Sequence, residues 1–300
     1  MLVVGSVALD SVETPFGRVQ EVLGGAATYF SFSASFFAPV HLIGIVGDDF
    51  PSEHVRLLRD RGVDVGGLKT SRGRTFRWTG EYGYDLNEAK TLDTQLNVFA
   101  EFRPALDERL RRTPFLFLAN IDPELQLDVL RQMAVRPRLV ALDTMNFWIQ
   151  GKRDALLKVL AEVDIVTIND AEARQLAGEP NLVKAARVIA GMGPKTIVVK
   201  RGEYGAMLVV NGAFFVVPAY PLEAVYDPTG AGDTFAGGFM GYLASQEQVS
   251  AAALRRAMVY GSVMASFTVE DFSLDRLKRL EPAEIEERYG AFHDLVRLEA

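Results

Sequence analysis

Between residues 139 and 199 the chain alternates two kinds of segment. Leu139-Val140-Ala141-Leu142, Asp164-Ile165-Val166-Thr167-Ile168 and Thr196-Ile197-Val198-Val199 are short apolar runs, while Lys152 to Glu162, Ala171 to Ala177 and Val183 to Met192 place apolar residues three or four apart. The short runs predict strands buried on both faces, and the wider spacing predicts helices with one apolar stripe. Strand then helix, repeated, predicts parallel βαβ units with right-handed crossovers and helices on both faces of the sheet. The pattern extends outward. Leu2-Val3-Val4, Leu42-Ile43-Gly44-Ile45 and Phe115-Leu116-Phe117-Leu118 read as further strands and Pro123 to Met133 as a further helix, with Asp122 and Asp170 at N-cap positions. Ligands of such sheets bind beyond the carboxyl ends of the strands. Asp10 is expected there, closing the first strand.

Two segments break the alternation. Residues 11–23, with Pro15-Phe16-Gly17 at the middle, and residues 74–97, with Gly83 and Asp85 between two polar-apolar stretches, predict antiparallel hairpins. Each leaves the main sheet after a parallel strand, so the two can pair into a small sheet over its ligand edge. No internal repeat, low-complexity tract or proline- and glycine-rich linker divides the chain. The expectation is one domain over residues 1–300 with a small β lid.

Composition narrows the function. Hydrophobic residues make up 49% and charged residues 24%, the balance of a globular protein rather than a disordered one. A net charge of −7 argues against nucleic acid as a partner. Without cysteine, disulfides, thiolate zinc sites and cysteine nucleophiles are excluded, and His41, His54 and His293 lie too far apart for a metal pair. Residues 29–47 carry no ionised group over a length that could span a bilayer. They hold Ser31, Ser33, Ser35, Pro39 and His41, however, and so read as a buried helix followed by a buried strand. The first residues lack the basic start of a signal peptide, which makes a cytoplasmic location the default expectation.

Residues 227–241 read Asp-Pro-Thr-Gly-Ala-Gly-Asp-Thr-Phe-Ala-Gly-Gly-Phe-Met-Gly. Gly230, Ala231 and Gly232 let the backbone approach a ligand, and the helical periodicity of Asp233 to Ala244 puts their N–H groups at a helix N-terminus. Unpaired donors and the macrodipole favour an anion at such a place. The pattern is neither a dinucleotide fingerprint, since Phe235 stands where the third glycine belongs, nor a Walker loop, since Gly-Lys-Ser/Thr is absent.

This string closely resembles the C-terminal signature of the ribokinase-like, or PfkB, carbohydrate kinases. Gly24-Gly25-Ala26 followed by residues 43–50 is similar to the family's N-terminal signature. Asn169-Asp170-Ala171-Glu172 resembles its Asn-x-x-Glu motif, and residues 200–205 resemble its nucleotide-binding turn. The resemblance implies a ribokinase-like three-layer α/β fold: a central, mostly parallel sheet flanked by helices, with a small β-sheet lid. It also implies ATP-dependent phosphoryl transfer to a hydroxyl of a small sugar or nucleoside.

The site residues follow from the same resemblance. Asp233 is the catalytic base, with Gly230, Ala231 and Gly232 forming the anion hole. A carboxylate at a helix N-terminus is expected to be more acidic than the ordinary value of about 3.9. Asn169 and Glu172 are implied to organise Mg2+ and the triphosphate; Lys200, Gly202 and Gly205 to approach the nucleotide; and Ala257 and Gly261 to wall the adenine. Asp227 and Thr229 supply oxygens to a monovalent cation, potassium, in other members. The acceptor is assigned to Asp10, Gly24, Gly25, Thr28 and Asn120, with Asn97 a weaker candidate. Many members carry an asparagine shortly after the Gly-Gly pair, where this chain has Thr28 and Tyr29. A phosphorylated sugar would require a basic cluster, for which Arg72, Arg74 and Arg77 are the candidates. Lid edges in this family often pair subunits, so a homodimer through the lid is expected. The competing function is a nucleotide-binding sensor of the same fold that has lost turnover, against which the intact Asp233, Gly230, Gly232 and Asn169 argue.

Overall fold

The computed structural model of the chain describes residues 1–297. Its strands are β1 (Leu2–Val4), β2 (Ala8–Thr14), β3 (Gly17–Gly24), β4 (Val40–Gly47), β5 (Val63–Ser71), β6 (Phe76–Tyr82), β7 (Ala89–Gln95), β8 (Phe115–Leu118), β9 (Leu139–Asp143), β10 (Ile165–Asn169), β11 (Thr196–Lys200), β12 (Ala206–Val210) and β13 (Ala213–Val217). Nine of them form one sheet in the order β13-β12-β11-β10-β9-β8-β1-β4-β5, parallel except for the two antiparallel pairs at the β13 edge. The chain runs outward from β1 through β4 to β5, then returns to β8 and proceeds the other way. The crevice at this reversal opens at the carboxyl ends of β1 and β8.

Both faces of the sheet are covered, which is why its strands read as unbroken apolar runs. Phe115, Phe117 and Val3 face one core layer, with the helices Ala26–Ala34, Ala231–Ser245 and Ala251–Thr268. Leu116, Leu118, Leu2 and Val4 face the other, against helices that include Arg153–Leu160, Asp170–Ala177 and Leu182–Ala190. Phe30 of the first helix stacks on Phe117 with ring centroids 3.9 Å apart. The apolar stretch 29–47 is a buried helix followed by β4, and among the described residues no helix is long and apolar enough to cross a membrane.

The two irregular segments pair as a separate sheet in the order β3-β2-β6-β7, with β2 parallel to β6 and an antiparallel hairpin on each side. This corrects the position of Asp10. The first parallel strand ends at Val4, and Asp10 lies within β2, in register with Val22 and Trp78. The chain leaves the main sheet early because β3 and β6 offer hydrogen bonds along both edges of residues 8–14. Asp170 is not an N-cap either. Asn169 takes that place, its Oδ1 accepting from Glu172 N at 2.8 Å while Glu172 Oε2 accepts from Asn169 N at 2.9 Å. This reciprocal capping box satisfies two backbone donors at the helix start.

Candidate active site

Three neighbouring parallel strands end on polar residues, β9 on Asp143, β10 on Asn169 and β11 on Lys200. The helix Ala231–Ser245 begins over these ends. Its N-cap, Gly230, has φ 74°, a left-handed conformation that glycine adopts without steric cost. The Ala231 amide donates to the Pro228 carbonyl at 3.1 Å and is therefore taken, whereas the amides of Gly232 and Asp233 have no backbone partner among the described residues. This helix start thus leaves two first-turn donors free, and not the three expected of an anion hole.

Lys200 Nζ donates to Asp143 Oδ2 at 2.8 Å, a pair almost removed from solvent. The same amino group lies 3.0 Å from where a side chain on Gly232 would begin, so Gly232 is the space that admits it. Lys200 pairs with Asp143, and the charges of Asp233 and Glu172 act on the same ammonium group from further off. Asp233 responds accordingly. Burial first, and then the charge of Asp143, push its carboxyl up to about 7, although Lys200 pulls the other way. This overturns the expectation of an unusually acidic group, because desolvation outweighs the pull of the helix terminus. A base near 7 is suited to taking a proton at neutral pH. Glu172 is also raised to about 7, chiefly by burial, with Lys200 opposing and Asp143 adding to the shift.

Across the crevice stands Asp10. It is 5% exposed, accepts from the Gly25 amide, and is pushed up to about 7 by burial, with smaller contributions from Asp227 and Asp233. A side chain on Gly24 would collide with its carboxylate, and one on Gly25 would meet the Ser6 carbonyl at 2.6 Å. Gly24 therefore makes room for this acid, and Gly25 for the backbone of Ser6 and Ala8. Thr28 and Tyr29 follow on the helix Ala26–Ala34, both buried. From the small sheet, the Tyr82 hydroxyl accepts from Thr229 Oγ1 at 3.3 Å. Asp227, 1% exposed, accepts from the amides of Thr229 at 2.9 Å and Ser273 at 3.2 Å, and has no lysine or arginine partner among the described residues.

Other residues singled out in the sequence have different engagements. Asn120 Oδ1 accepts from the Trp148 indole at 3.0 Å, and Asn97 donates to the Thr75 carbonyl at 2.9 Å. Ala257 is fully buried in the core, and a side chain on Gly261 would press on Phe235, so both serve helix packing. Arg77 is held by Glu21 at 2.6 Å and Asp49 at 2.8 Å, which neutralises one member of the basic cluster a phosphorylated sugar would need. Gly205 is buried in the turn between β11 and β12, and Gly202 is exposed beside it. On that turn Glu203 N donates to Asn87 Oδ1 at 3.1 Å, and Asn87 Nδ2 donates to Glu203 Oε1 at 3.2 Å. Asn87 comes from the loop between β6 and β7, so the small sheet touches the turn between β11 and β12. Asp143 escaped sequence reading altogether, as an acid that merely ends an apolar run.

Among the described residues no three carboxylates or imidazoles converge to hold a metal ion alone. A magnesium ion fits such a site when nucleotide phosphates and water complete its shell, since Mg2+ commonly binds one or two carboxylates together with substrate phosphates.

A crevice at a strand reversal, unpartnered amides on a helix start and a raised carboxyl beside them are the parts that a phosphoryl-transfer enzyme of the α/β class uses. The pfkB family carbohydrate kinase pattern matches residues 3–276. The chain is 33% identical over 246 residues to the cytidine kinase of Thermococcus kodakarensis, covering 80% of this chain and 87% of that one. Its fold is similar to the nucleoside kinase of Methanocaldococcus jannaschii (TM-score 0.76, 20% identity, 97% of this chain and 98% of the other). It is also similar to the Escherichia coli protein termed Ribokinase II, solved with ATP and Mg2+ (TM-score 0.79, 20% identity, 97% and 98%). The chain therefore belongs to the pfkB family of carbohydrate kinases, with their ribokinase-like three-layer fold, and is an ATP-dependent kinase with an alcohol acceptor.

Proposed function

We propose that this kinase moves the γ-phosphoryl group of ATP to a hydroxyl of a small sugar or nucleoside, with Asp233 as the base. The observation that carries the reading is the Asp233 carboxyl itself. It stands on the first turn of a glycine-opened helix, raised to about 7, beside the Asp143–Lys200 pair. The acceptor O–H gives its proton to Asp233, the freed oxygen bonds to the γ-phosphorus, and the bond to the β-phosphate oxygen breaks to release ADP. Asp233 mainly orients the hydroxyl and takes its proton late, as a loose transition state allows. The amides of Gly232 and Asp233 face the charge on the moving group, a stabilisation of roughly 3–4 kcal/mol per donor in comparable oxyanion sites.

Lys200 pairs with Asp143 until nucleotide oxygens arrive to share it. Mg2+ supplies charge neutralisation of the phosphates when bound, and Asn169 and Glu172 are the residues that would orient its water shell. Asp227, a buried carboxylate without a basic partner, would with Thr229 donate oxygens to potassium. Residues 1–300 are read as one kinase domain, with β2, β3, β6 and β7 as a lid. Asp10 accepts two neighbouring hydroxyls, and the outer strands β3 and β7 are the edges through which two copies would pair. Cytidine is the first acceptor to try, given the Thermococcus relative.

The test is ADP release over a panel of cytidine, adenosine, ribose and fructose, with Asp233→Asn as control. Turnover of one acceptor, abolished in the variant, supports the reading. A chain that binds ATP and releases no ADP with any of them would instead be a nucleotide sensor.

A further inference from the structure

The strand end that carries Lys200 has a second side. Side chains alternate along a strand, and in β11 Val198 packs in the core layer of the helix Ala231–Ser245 while Val199 packs in the other layer. Lys200 follows Val198 and reaches Gly232; Arg201 follows Val199 and lines a cavity of about 440 Å³ on the far side of the strand end. That volume lies within the range of small-molecule sites. Leu182, Val183 and Met207 give the cavity its apolar lining, and Val183 is 40% exposed there. The ring of Tyr204, 64% exposed, lines it as well. Two further lining residues, Asp170 and Arg174, form an ion pair with each other, and Arg174 Nε also donates to the Pro180 carbonyl at 3.0 Å. Arg201 is left over. It is half-buried and its backbone N donates to the Gly205 carbonyl at 2.8 Å, but its side chain has neither an acceptor nor an acid partner among the described residues.

We infer that this cavity is a second ligand site, for a small molecule that joins a flat aromatic ring to one anionic group. With Asp170 and Arg174 cancelling each other, the lining carries the one free charge of Arg201, whose planar fork matches a carboxylate or phosphate with two parallel hydrogen bonds. The apolar lining and the Tyr204 ring suit a flat ring. A cationic ligand meets Arg201 with like charge, a neutral one leaves it unpaired, and a bare anion leaves the apolar lining in water. The site also has a lever on the face behind it. Arg201 and Tyr204 belong to the turn between β11 and β12, which begins at Lys200 and receives Asn87 of the small sheet through Glu203. A ligand gripping both residues orders that turn from behind. The existence of the site does not depend on the proposed function; its effect, a tighter grip on ATP, rests on the proposed nucleotide site.

Phenyl phosphate and benzoate are titrated into the wild-type protein by calorimetry, alone and with a saturating non-hydrolysable ATP analogue and Mg2+. At least one of the two should bind with one equivalent, in the presence of the analogue as well as in its absence, and about tenfold or more tighter than inorganic phosphate or benzyl alcohol, which each supply half of the ligand. Arg201→Ala removes the free cation and Val183→Glu sets an acid on the apolar lining, so each should weaken binding at least about tenfold. The probe should in turn tighten the ATP analogue, by about fivefold, and the analogue the probe by the same factor. Binding of neither probe, displacement of the probe by the ATP analogue, phosphate alone binding as well as phenyl phosphate, or full affinity in either variant would overturn the site. Unchanged affinity for the analogue would overturn its effect on ATP. Melting temperatures check that the variants are folded, and the wild-type titrations decide the matter if neither is. A wild type inert toward every acceptor would sink the proposed function and leave these binding measurements standing, so the two readings fail separately.

Discussion

Asp10→Asn should make the ligand-free protein more stable at pH 8 while weakening acceptor binding. The carboxyl is 5% exposed, has one backbone donor, and titrates near 7 instead of 3.8, with burial as the leading cause. A folded-state value above the unfolded one means that the group's contribution is fully present below pH 3.8 and is lost as pH rises through about 7. Each pKa unit is worth about 1.4 kcal/mol, so ionising Asp10 in the ligand-free protein costs on the order of 4 kcal/mol above pH 7 and about 2 at pH 5. Asparagine keeps the shape and can still accept from Gly25, but carries no charge to bury. Urea unfolding of both proteins at pH 5 and pH 8 measures the difference. The variant's advantage should grow by about 2–3 kcal/mol between the two conditions, while its acceptor KM rises at least about tenfold through the lost charge-assisted bonds. A stability difference that does not change with pH, or a variant less stable at pH 8, would show that Asp10 is not held as a strained anion and would refute the reasoning.

Asp233→Asn should lower kcat by about 10²–10⁴-fold with ATP affinity by calorimetry unchanged, and activity within tenfold of wild type would remove Asp233 from the base role. In the wild type, kcat/KM should climb as pH passes through about 7, because Asp233 must be ionised to accept a proton and is raised to that value; a flat profile from pH 5 to 8 would contradict it. Gly232→Val should damage both ATP binding and kcat, since its first side-chain atom would lie 3.0 Å from Lys200 Nζ. Unaltered steady-state kinetics would mean that the anion hole lies elsewhere.

The strands buried on both faces, β1, β4 and β8–β11, were legible because two covered faces leave no polar alternation to confuse the pattern. The outer strands were not. β5 mixes Gly66-Gly67 with Lys69-Thr70 at the sheet edge, which reads as a loop. The β12–β13 hairpin did carry a usable signal, the pair Asn211-Gly212, both with positive φ (50° and 78°), as a two-residue hairpin turn requires. The acid Asp143 could not be found locally, because its importance comes from a lysine 57 residues away. Asp233 was singled out from the sequence but given the wrong acidity. A first-turn rule contains only the helix's own dipole, whereas the burial that dominates comes from packing that no local pattern encodes. Asn169 and Glu172 form the capping box of a helix start, and the same pair is proposed to serve the nucleotide site.

The contact of Asn87 with Glu203 has a thermodynamic consequence. It joins the small sheet, which carries Asp10, to the turn beside Lys200, so with acceptor and nucleotide bound as proposed the two ligands need not touch to sense each other. A molecule that holds the turn in this arrangement also holds Asn87, and whatever it contributes to ordering the sheet the second molecule no longer has to supply. Linkage makes that favour mutual: the factor by which ATP tightens the acceptor must equal the factor by which the acceptor tightens ATP. The same reciprocity governs departure: once one product leaves, what it lent to the other is gone, and the second leaves more readily.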